Sequence, residues 1–321
     1  MGRRETVQSG PGSRALVVDI IRSSGPVSRV ELVEATGLTQ PTISNIVRGL
    51  IADGVVCETG ATVATGGKPR TMLAINSRVA YGVGVHLGMD AVTCVVTNTR
   101  GGMVGRQLIG LDLDARHDLP IIRLTDLCRN TIEMLGLPPG SVAGMTVAGR
   151  GLVDAKRGLL PSLQDAVSWN GLHLRSGLAS TLDFPVLVAS NAAAATVGEF
   201  WVRQISRERT FGCLYMGTSI SSGVVLDGAL HRGASSNAGQ IGHVAVERHG
   251  APCECGNRGC LNLYAAPPAM AEVARSTPDL VSRLGIRKDE TSARAFDILA
   301  RAAIYGDDQA RAILDSSAAM L

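Results

Sequence analysis

The tightest constraint on how this chain can fold is a stretch near residue 250, GHVAVERHGAPCECGNRGCLN, in which His243 is followed by Cys253, Cys255 and Cys260. Three thiols and an imidazole are four soft ligands, the number that a tetrahedral Zn²⁺ takes. A Cys-x-Cys pair clasps an ion from a tight loop, and Gly256 and Gly259 permit the turns that bring Cys260 back. Four protein ligands leave no coordination position open, so the expected Zn²⁺ is structural, not catalytic. The plain alternative is three reduced cysteines in a loop. Cys57, Cys94, Cys128 and Cys213 are scattered through apolar sequence and read as buried, reduced small hydrophobes, not as a secreted disulfide framework.

The rest of the composition describes a globular protein, 45% hydrophobic and 18% charged, with 321 residues to divide among two or three packed units. No apolar run approaches the roughly 18 residues that would span a bilayer. The start, MGRRETVQSGPGSR, is basic but is followed by no apolar stretch of the signal-peptide kind. A cytoplasmic protein with no membrane partner is expected. The net charge of +3 is unevenly placed: residues 1–79 hold nine Lys/Arg against six Asp/Glu, and the remainder balances. That asymmetry points to a polyanionic partner for the N-terminal quarter.

In that quarter Ser13 can cap a first helix whose Leu16, Val17, Ile20 and Ile21 form one apolar stripe, ending at Gly25-Pro26. Ser28 and Glu31 make a capping box for a second helix with Leu32, Val33 and Ala35 inward, and Gly37 offers a left-handed turn into a third, capped by Thr39. There Ile43, Ile46, Val47, Leu50 and Ile51 recur at helical spacing, which leaves Gln40, Thr42, Ser44, Asn45 and Arg48 outward. This outward set carries short donors and acceptors, one long cation and no acid, as a helix reading base edges and phosphates requires. Two β-branched runs follow around a Gly-rich turn with Lys68 and Arg70, a hairpin with a basic tip. The order fits a winged helix-turn-helix on double-stranded DNA, with a small protein-interaction bundle as the alternative.

From Tyr81 the texture changes. YGVGVHLGMDAVTCVVTNTRGGMVGRQLIG suggests a meander of adjacent strands, IIRLTDLCRNTIEML a helix, SVAGMTVAG and FPVLVASN buried strands, AAAATVGEFWVRQ a helix, and FGCLYMGTSISSGVVLDGALHRG further strands. This alternation is the rhythm of a layered α/β structure. His117, His173, His231 and His249 read as surface or loop residues, and Phe200 and Trp201 as core.

The segments G-x-I-G-H-V (Gly239 to Val244) and C-x-C-G-N-R-G-C (Cys253 to Cys260) resemble the signature of the ROK family, and the likeness runs over nearly the whole chain. The resemblance implies an actin-like, hexokinase-type (ribonuclease H-like) ATPase fold over residues 80–321, joined to the winged helix of residues 1–79. The helix-turn-helix fusion is similar to the family's regulator branch, in which the kinase-like domain senses a sugar or sugar derivative. The resemblance also implies further strands and helices beyond Leu321, so the C-terminal lobe reads as truncated.

Departures from the family pattern fall on residues that phosphoryl transfer would need. The phosphate-binding D-x-G-x-T corresponds to His86-Leu87-Gly88-Met89-Asp90, where a metal-organising carboxylate has become a histidine and an acid stands where a γ-phosphate would approach. The second phosphate loop reads Gly217-Thr218-Ser219-Ile220-Ser221-Ser222-Gly223, with side chains where glycines would let a phosphate approach. The catalytic Asp corresponds to Asn191, an amide that cannot accept a hydroxyl proton. Two sugar-binding Glu positions are Gln240 and Asn262, and Asp165, before Trp169, takes the place of a family Asn.

ATP is therefore not expected as a cofactor and no catalytic residue is assigned. The ligand-binding set is Asp165, Asn191, Gln240, His243 and Asn262; it binds an altered ligand such as an anionic sugar derivative, or is a decayed pocket that binds none. The expected protein is a sugar-responsive transcriptional regulator, a homodimer or homotetramer, with an ATP-dependent sugar kinase carrying a winged helix as the competing reading.

Overall fold

In the computed structural model, residues 11–63, 70–88, 91–110, 119–160 and 172–321 are described. Lys68, Asp90, His117, Asp165 and Trp169, singled out above, lie outside them.

The N-terminal elements are α1 (Pro11–Ser23), β1 (Val27–Ser28), α2 (Arg29–Thr36), α3 (Gln40–Ala52), β2 (Val56–Val63) and β3 (Arg70–Ile75), with the strands in the antiparallel order β1-β3-β2. The caps of α2 and α3 are those the sequence specifies. The Ser28 hydroxyl accepts the Glu31 N–H while Glu31 accepts the Ser28 N–H at 2.6 Å, Gly37 has φ +70°, and Thr39 accepts from Thr42 N–H. The bond from the Ser28 N–H also holds the Glu31 carboxyl below its ordinary pKa. A closed apolar cluster joins Val17, Ile21, Leu32, Ile43, Val47, Leu50 and Leu73. Two expectations fail here. Ser13 lies inside α1, because the helix already starts at Pro11, a residue suited to a first turn. Ala35 is exposed, because Leu38, just beyond the short α2, turns inward in its place.

Beyond Asn76 comes a five-stranded sheet of β4 (Tyr81–Leu87), β5 (Ala91–Asn98), β6 (Met103–Gly110), β7 (Val142–Gly149) and β8 (Val186–Ser190) in the order β6-β5-β4-β7-β8. β4, β5 and β6 form the expected antiparallel meander, and β4, β7 and β8 run parallel. One face is covered by α4 (Leu119–Met134) and α5 (Leu174–Ala179), which bury Leu124, Leu127, Cys128, Leu174 and Leu178 against Val83, Val85, Val96, Met145 and Val147. Cys94 and Cys128 are buried as expected. Cys57 is exposed on β2 and Cys213 half-buried, since the sheets carrying them are not covered on both faces.

α6 (Asn191–Val202) follows β8 directly and packs on a second sheet, β9 (Phe211–Met216), β10 (Ile220–Leu226) and β11 (Ala229–Leu230), ordered β11-β10-β9. The metal-ligand loop comes next, followed by α7 (Asn262–Ala265), α8 (Pro267–Arg275), α9 (Pro278–Leu284), α10 (Ser292–Ile304) and α11 (Asp308–Ala318). α8 to α11 bury Met270, Leu280, Ile286, Leu299 and Ala310 in their own cluster. Among the described residues no helix is long and apolar enough to cross a membrane.

Candidate functional site

In a sheet with parallel strands, a crevice forms beyond the strands' carboxyl ends, where the chain leaves in different directions. β4 ends at Leu87, β7 at Gly149 and β8 at Ser190, and the residues that follow, Gly88, Arg150 and Asn191, line one cavity of about 310 Å³. The turn after β9 adds Gly217 and Thr218, and the starts of α8 and α10 close the other side with Pro267, Pro268, Ser292 and Phe296. A second cavity of about 320 Å³ shares Arg150, Thr218 and Pro268 with the first and is lined also by Ser219, Gln240, His243, Glu254 and Asn262.

The topology thus gathers Gln240, His243 and Asn262 in one chamber and sets Asn191 in the next. Asn191 is the first residue of α6, buried behind its N-cap Ser190. Beside it the Tyr215 phenol is pushed above its ordinary pKa by burial, an effect partly offset by the neighbouring Asn191 amide. Asn191 Oδ1 and Thr218 Oγ1 are buried with no hydrogen-bond partner among the described residues. Such atoms are costly unless a ligand or solvent meets them. His86 opens into the same chamber, and desolvation by its walls lowers its pKa. Asn262 has a fixed duty: Oδ1 accepts the Ile220 N–H at 2.7 Å, which ties the start of α7 to β10. A Cβ on Gly242 would lie 2.3 Å from that oxygen, so Gly242 makes this approach possible.

Among the described lining residues the first chamber has no carboxylate and the second only Glu254. The expected phosphate loop is mostly strand, since Ile220 to Gly223 pair with Cys213 to Met216 and only Gly217, Thr218 and Ser219 form the turn. Thr218 belongs to the loop singled out in the sequence, whereas no motif in the sequence marks Arg150, Tyr215 or Glu254 as site residues. The end of a buried strand at Gly149 was the available signal for Arg150; the others follow only from the packing.

The metal-ligand set is assembled as the spacing specifies. Side-chain ligand atoms of His243, Cys253, Cys255 and Cys260 all lie within 4.8 Å of one another, with Cys253 Sγ 3.6 Å from His243 Nδ1 and Cys255 Sγ 3.6 Å from Cys260 Sγ. Gly256 (φ +88°) and Gly259 (φ +63°) take the left-handed turns, and a Cβ on Gly259 would fall 1.7 Å from the Glu247 carbonyl oxygen. Burial, then the neighbouring Cys255 and Cys253, push Cys260 up to about 12. Three thiols this close ionise together only around a cation, so the cluster can hold a metal ion.

On α3, Ile43, Val47 and Leu50 are 0% exposed, Gln40, Asn45 and Arg48 are exposed, and Thr42 and Ser44 are half-buried. Arg48 donates to Asn45 Oδ1 at 3.2 Å. Arg14 and Arg29 are paired with Asp53 and Glu58. Arg70 begins β3, opposite Val63. His173, His231 and His249 are exposed, as expected. Phe200 is core, but Trp201 is 40% exposed, because it faces the N-terminal elements and not the interior.

The comparisons agree with this architecture. The chain is 29% identical over 257 residues to the xylose repressor of Bacillus subtilis (strain 168), covering 80% of this chain and 66% of that protein. It spans about two thirds of the length of such curated relatives. A solved ROK family transcriptional regulator, described as a homologue of the E. coli MLC protein, superposes with TM-score 0.68 at 22% identity over 94% of this chain and 75% of that one. A ROK family glucokinase from Streptomyces griseus, in complex with glucose and AMPPNP, superposes with TM-score 0.58 at 22% identity over 75% of this chain and 76% of that one. The ROK family model matches residues 82–321, three quarters of the sequence, and the chain belongs to the ROK family.

Proposed function

We propose that this protein is a DNA-binding transcriptional repressor of sugar metabolism, with residues 1–79 as a winged helix-turn-helix and residues 80–321 as a kinase-like sensor that no longer transfers phosphate. The observation that carries the reading is α3. Its apolar stripe is sealed inside while Gln40, Asn45 and Arg48 project outward, and no carboxylate of the described residues pairs with Arg48. A helix N-terminus with short polar groups and a longer cation suits base edges flanked by phosphates. Arg70, with Lys68 and the intervening turn, would lie along the backbone as a wing. Relatives named as repressors support the same reading.

Loss of enzyme activity is supported by Asn191, an amide where proton abstraction would need a carboxylate, and by the acid-free first chamber. The cleft suits a small hydroxyl-rich effector. Asn191 Oδ1, Thr218 Oγ1, Gln240 and the ring of His243 offer hydrogen bonds without negative charge, and Arg150 favours an anionic sugar derivative over a neutral one. Zn²⁺ is the metal that the His/Cys₃ set favours: bonds of about 2.3 Å give tetrahedral edges of about 3.8 Å, near the 3.6 Å spacings present. The ion would be structural. A dimer would place two α3 helices on successive half-sites.

The test is a gel shift of the full chain with duplexes that include the DNA flanking its own gene. Binding is expected to weaken steeply with salt as counterions are released, and Arg48→Ala is expected to lower specific affinity about tenfold or more. No shift with any duplex at low salt overturns the reading. ADP release in the presence of ATP and a sugar panel would instead establish a kinase.

A further inference from the structure

α6 begins in the cleft and ends against the DNA-binding unit, and its two ends make specific contacts. Asn191 is its first residue, and Phe200 and Trp201 lie in its last turn, about 15 Å away at 1.5 Å per residue. There the Arg22 guanidinium of α1 stands 5.1 Å from the Phe200 ring centroid and 4.9 Å from that of Trp201. Arg22 is only 6% exposed and donates to Asp19 Oδ1 and to the Ile205 carbonyl, both at 2.6 Å. Asp19 in turn accepts the Arg207 N–H through Oδ2 at 3.2 Å. Trp201 Nε1 donates to the Thr99 carbonyl at 2.8 Å, and Thr99 Oγ1 donates to the carbonyl of Asn76, just beyond β3.

The geometry points to α6 as the element that couples the cleft to the DNA-binding unit, with Arg22 clasped by Phe200 and Trp201 as the releasable joint. Three features support this. The helix is built as one stiff unit with β10: its Ala192 to Ala195 run favours helix strongly, and buried Thr196 sits so close to β10 that a Cβ on Gly223 would lie 2.2 Å from its Oγ1. The joint is made of a cation, two rings and a few hydrogen bonds, not of a broad apolar seam, so it can open without exposing a core. Arg22 Nη1 is buried with no hydrogen-bond partner among the described residues, so the clasped state leaves one donor unmet that solvent would satisfy on release. Arg22 and Trp201 act through α6, as positioning residues that touch no ligand.

The proposal rests on the reading of the cleft as a sensing site, and the first arm of its test needs neither DNA nor sugar. Hydrogen exchange of the last turn of α1 is measured in the full chain, in Asn191→Ala, in Trp201→Leu and in the double variant. Trp201 is exposed enough for its replacement to leave the fold intact, which circular dichroism checks. Asn191→Ala is expected to change exchange at Asp19 to Ser23 by about fivefold or more, the lower end of ordinary allosteric coupling, and to have no further effect once Trp201 is Leu. An unchanged rate in Asn191→Ala, or an effect that persists at full size in the double variant, overturns it. A second arm uses D-xylose, D-glucose, glucose 6-phosphate and N-acetylglucosamine. Any that binds and shifts duplex affinity in the parent must still bind Trp201→Leu but lose that shift, and retention of the full shift also overturns the proposal. Absence of any sugar effect counts against the effector reading and leaves the exchange result to decide the coupling.

Discussion

The metal-ligand loop and the cleft it borders are built in opposite ways. All four ligands of the loop come from His243 to Cys260, and its backbone is pinned by neighbours such as Cys253 N–H to the Asn257 carbonyl at 2.8 Å and Gly259 N–H to the Ala251 carbonyl at 2.8 Å. The cleft takes its walls from the ends of β4, β7, β8 and β9, the starts of α6, α8 and α10, and the loop itself. A site encoded within eighteen residues carries its own geometry. A site gathered from across two hundred depends on the whole sheet being in register, and single residues in it mean little alone.

The largest effect should come from taking the loop's centre away. Residues 244–252 are nearly all exposed and contribute almost no apolar core, so the ion would stand in for one. Cys260→Ser, or a strong chelator, is expected to remove the metal, measured by elemental analysis at one ion per chain in the parent. It should also lower Tm by well over 10 °C, because structural Zn²⁺ contributes on the order of 10 kcal/mol where the surrounding fold is weak. If the variant keeps its Tm, the loop is held by its backbone and the contrast with the cleft disappears.

Gly259→Ala should be nearly as damaging without touching a ligand atom. The added methyl meets backbone at 1.7 Å and the residue must hold φ +63°, so the turn that returns Cys260 has to reopen. Metal content below half of the parent's, with the remaining protein folded by circular dichroism, is the expected result. Full loading would show that this turn is not what positions Cys260.

A smaller effect tests where the two regions join. Asn262→Ala removes the acceptor of the Ile220 N–H and is expected to cost about 1–3 kcal/mol in chemical unfolding, with metal content unchanged. Metal loss in this variant would mean that loop and cleft fold as one unit.

The same contrast explains what could be read in advance. The ligand set, Gly256 and Gly259, the Ser28–Glu31 box, Gly37 and the apolar stripe of α3 are short-range patterns, and each appears in the structure as the sequence specifies it. Gln240, His243 and Asn262 were legible as a group, but the tie from Asn262 to Ile220 was not, because it joins residues 42 apart. Trp201 was misassigned to the core because an aromatic on an apolar helix looks the same whether it faces an interior or a partner surface. Only the placement of α1 beside α6 reveals the difference, through Arg22.

The smallest expected effect is the sharpest test of a composite site. Asn191→Asp restores the acid that general-base chemistry requires, at the first position of α6, where the helix dipole favours a negative charge by about 0.3–1 kcal/mol against the desolvation of a nearly buried carboxylate. The desolvation is the larger of the two, so a modest fall in stability is expected, with circular dichroism checking that the fold is kept. Phosphoryl transfer should not appear, because a base contributes only when the phosphates and their metal are already held in line. His86 in the same chamber carries no negative charge to organise Mg²⁺, and the turn of Gly217, Thr218 and Ser219 leads at once into a paired strand instead of an open glycine loop. ADP release with ATP and a sugar panel should match the parent within error. A rise above the parent would mean that one carboxylate completes the machinery, and that the rest of the cleft had kept a phosphate geometry which its side chains conceal.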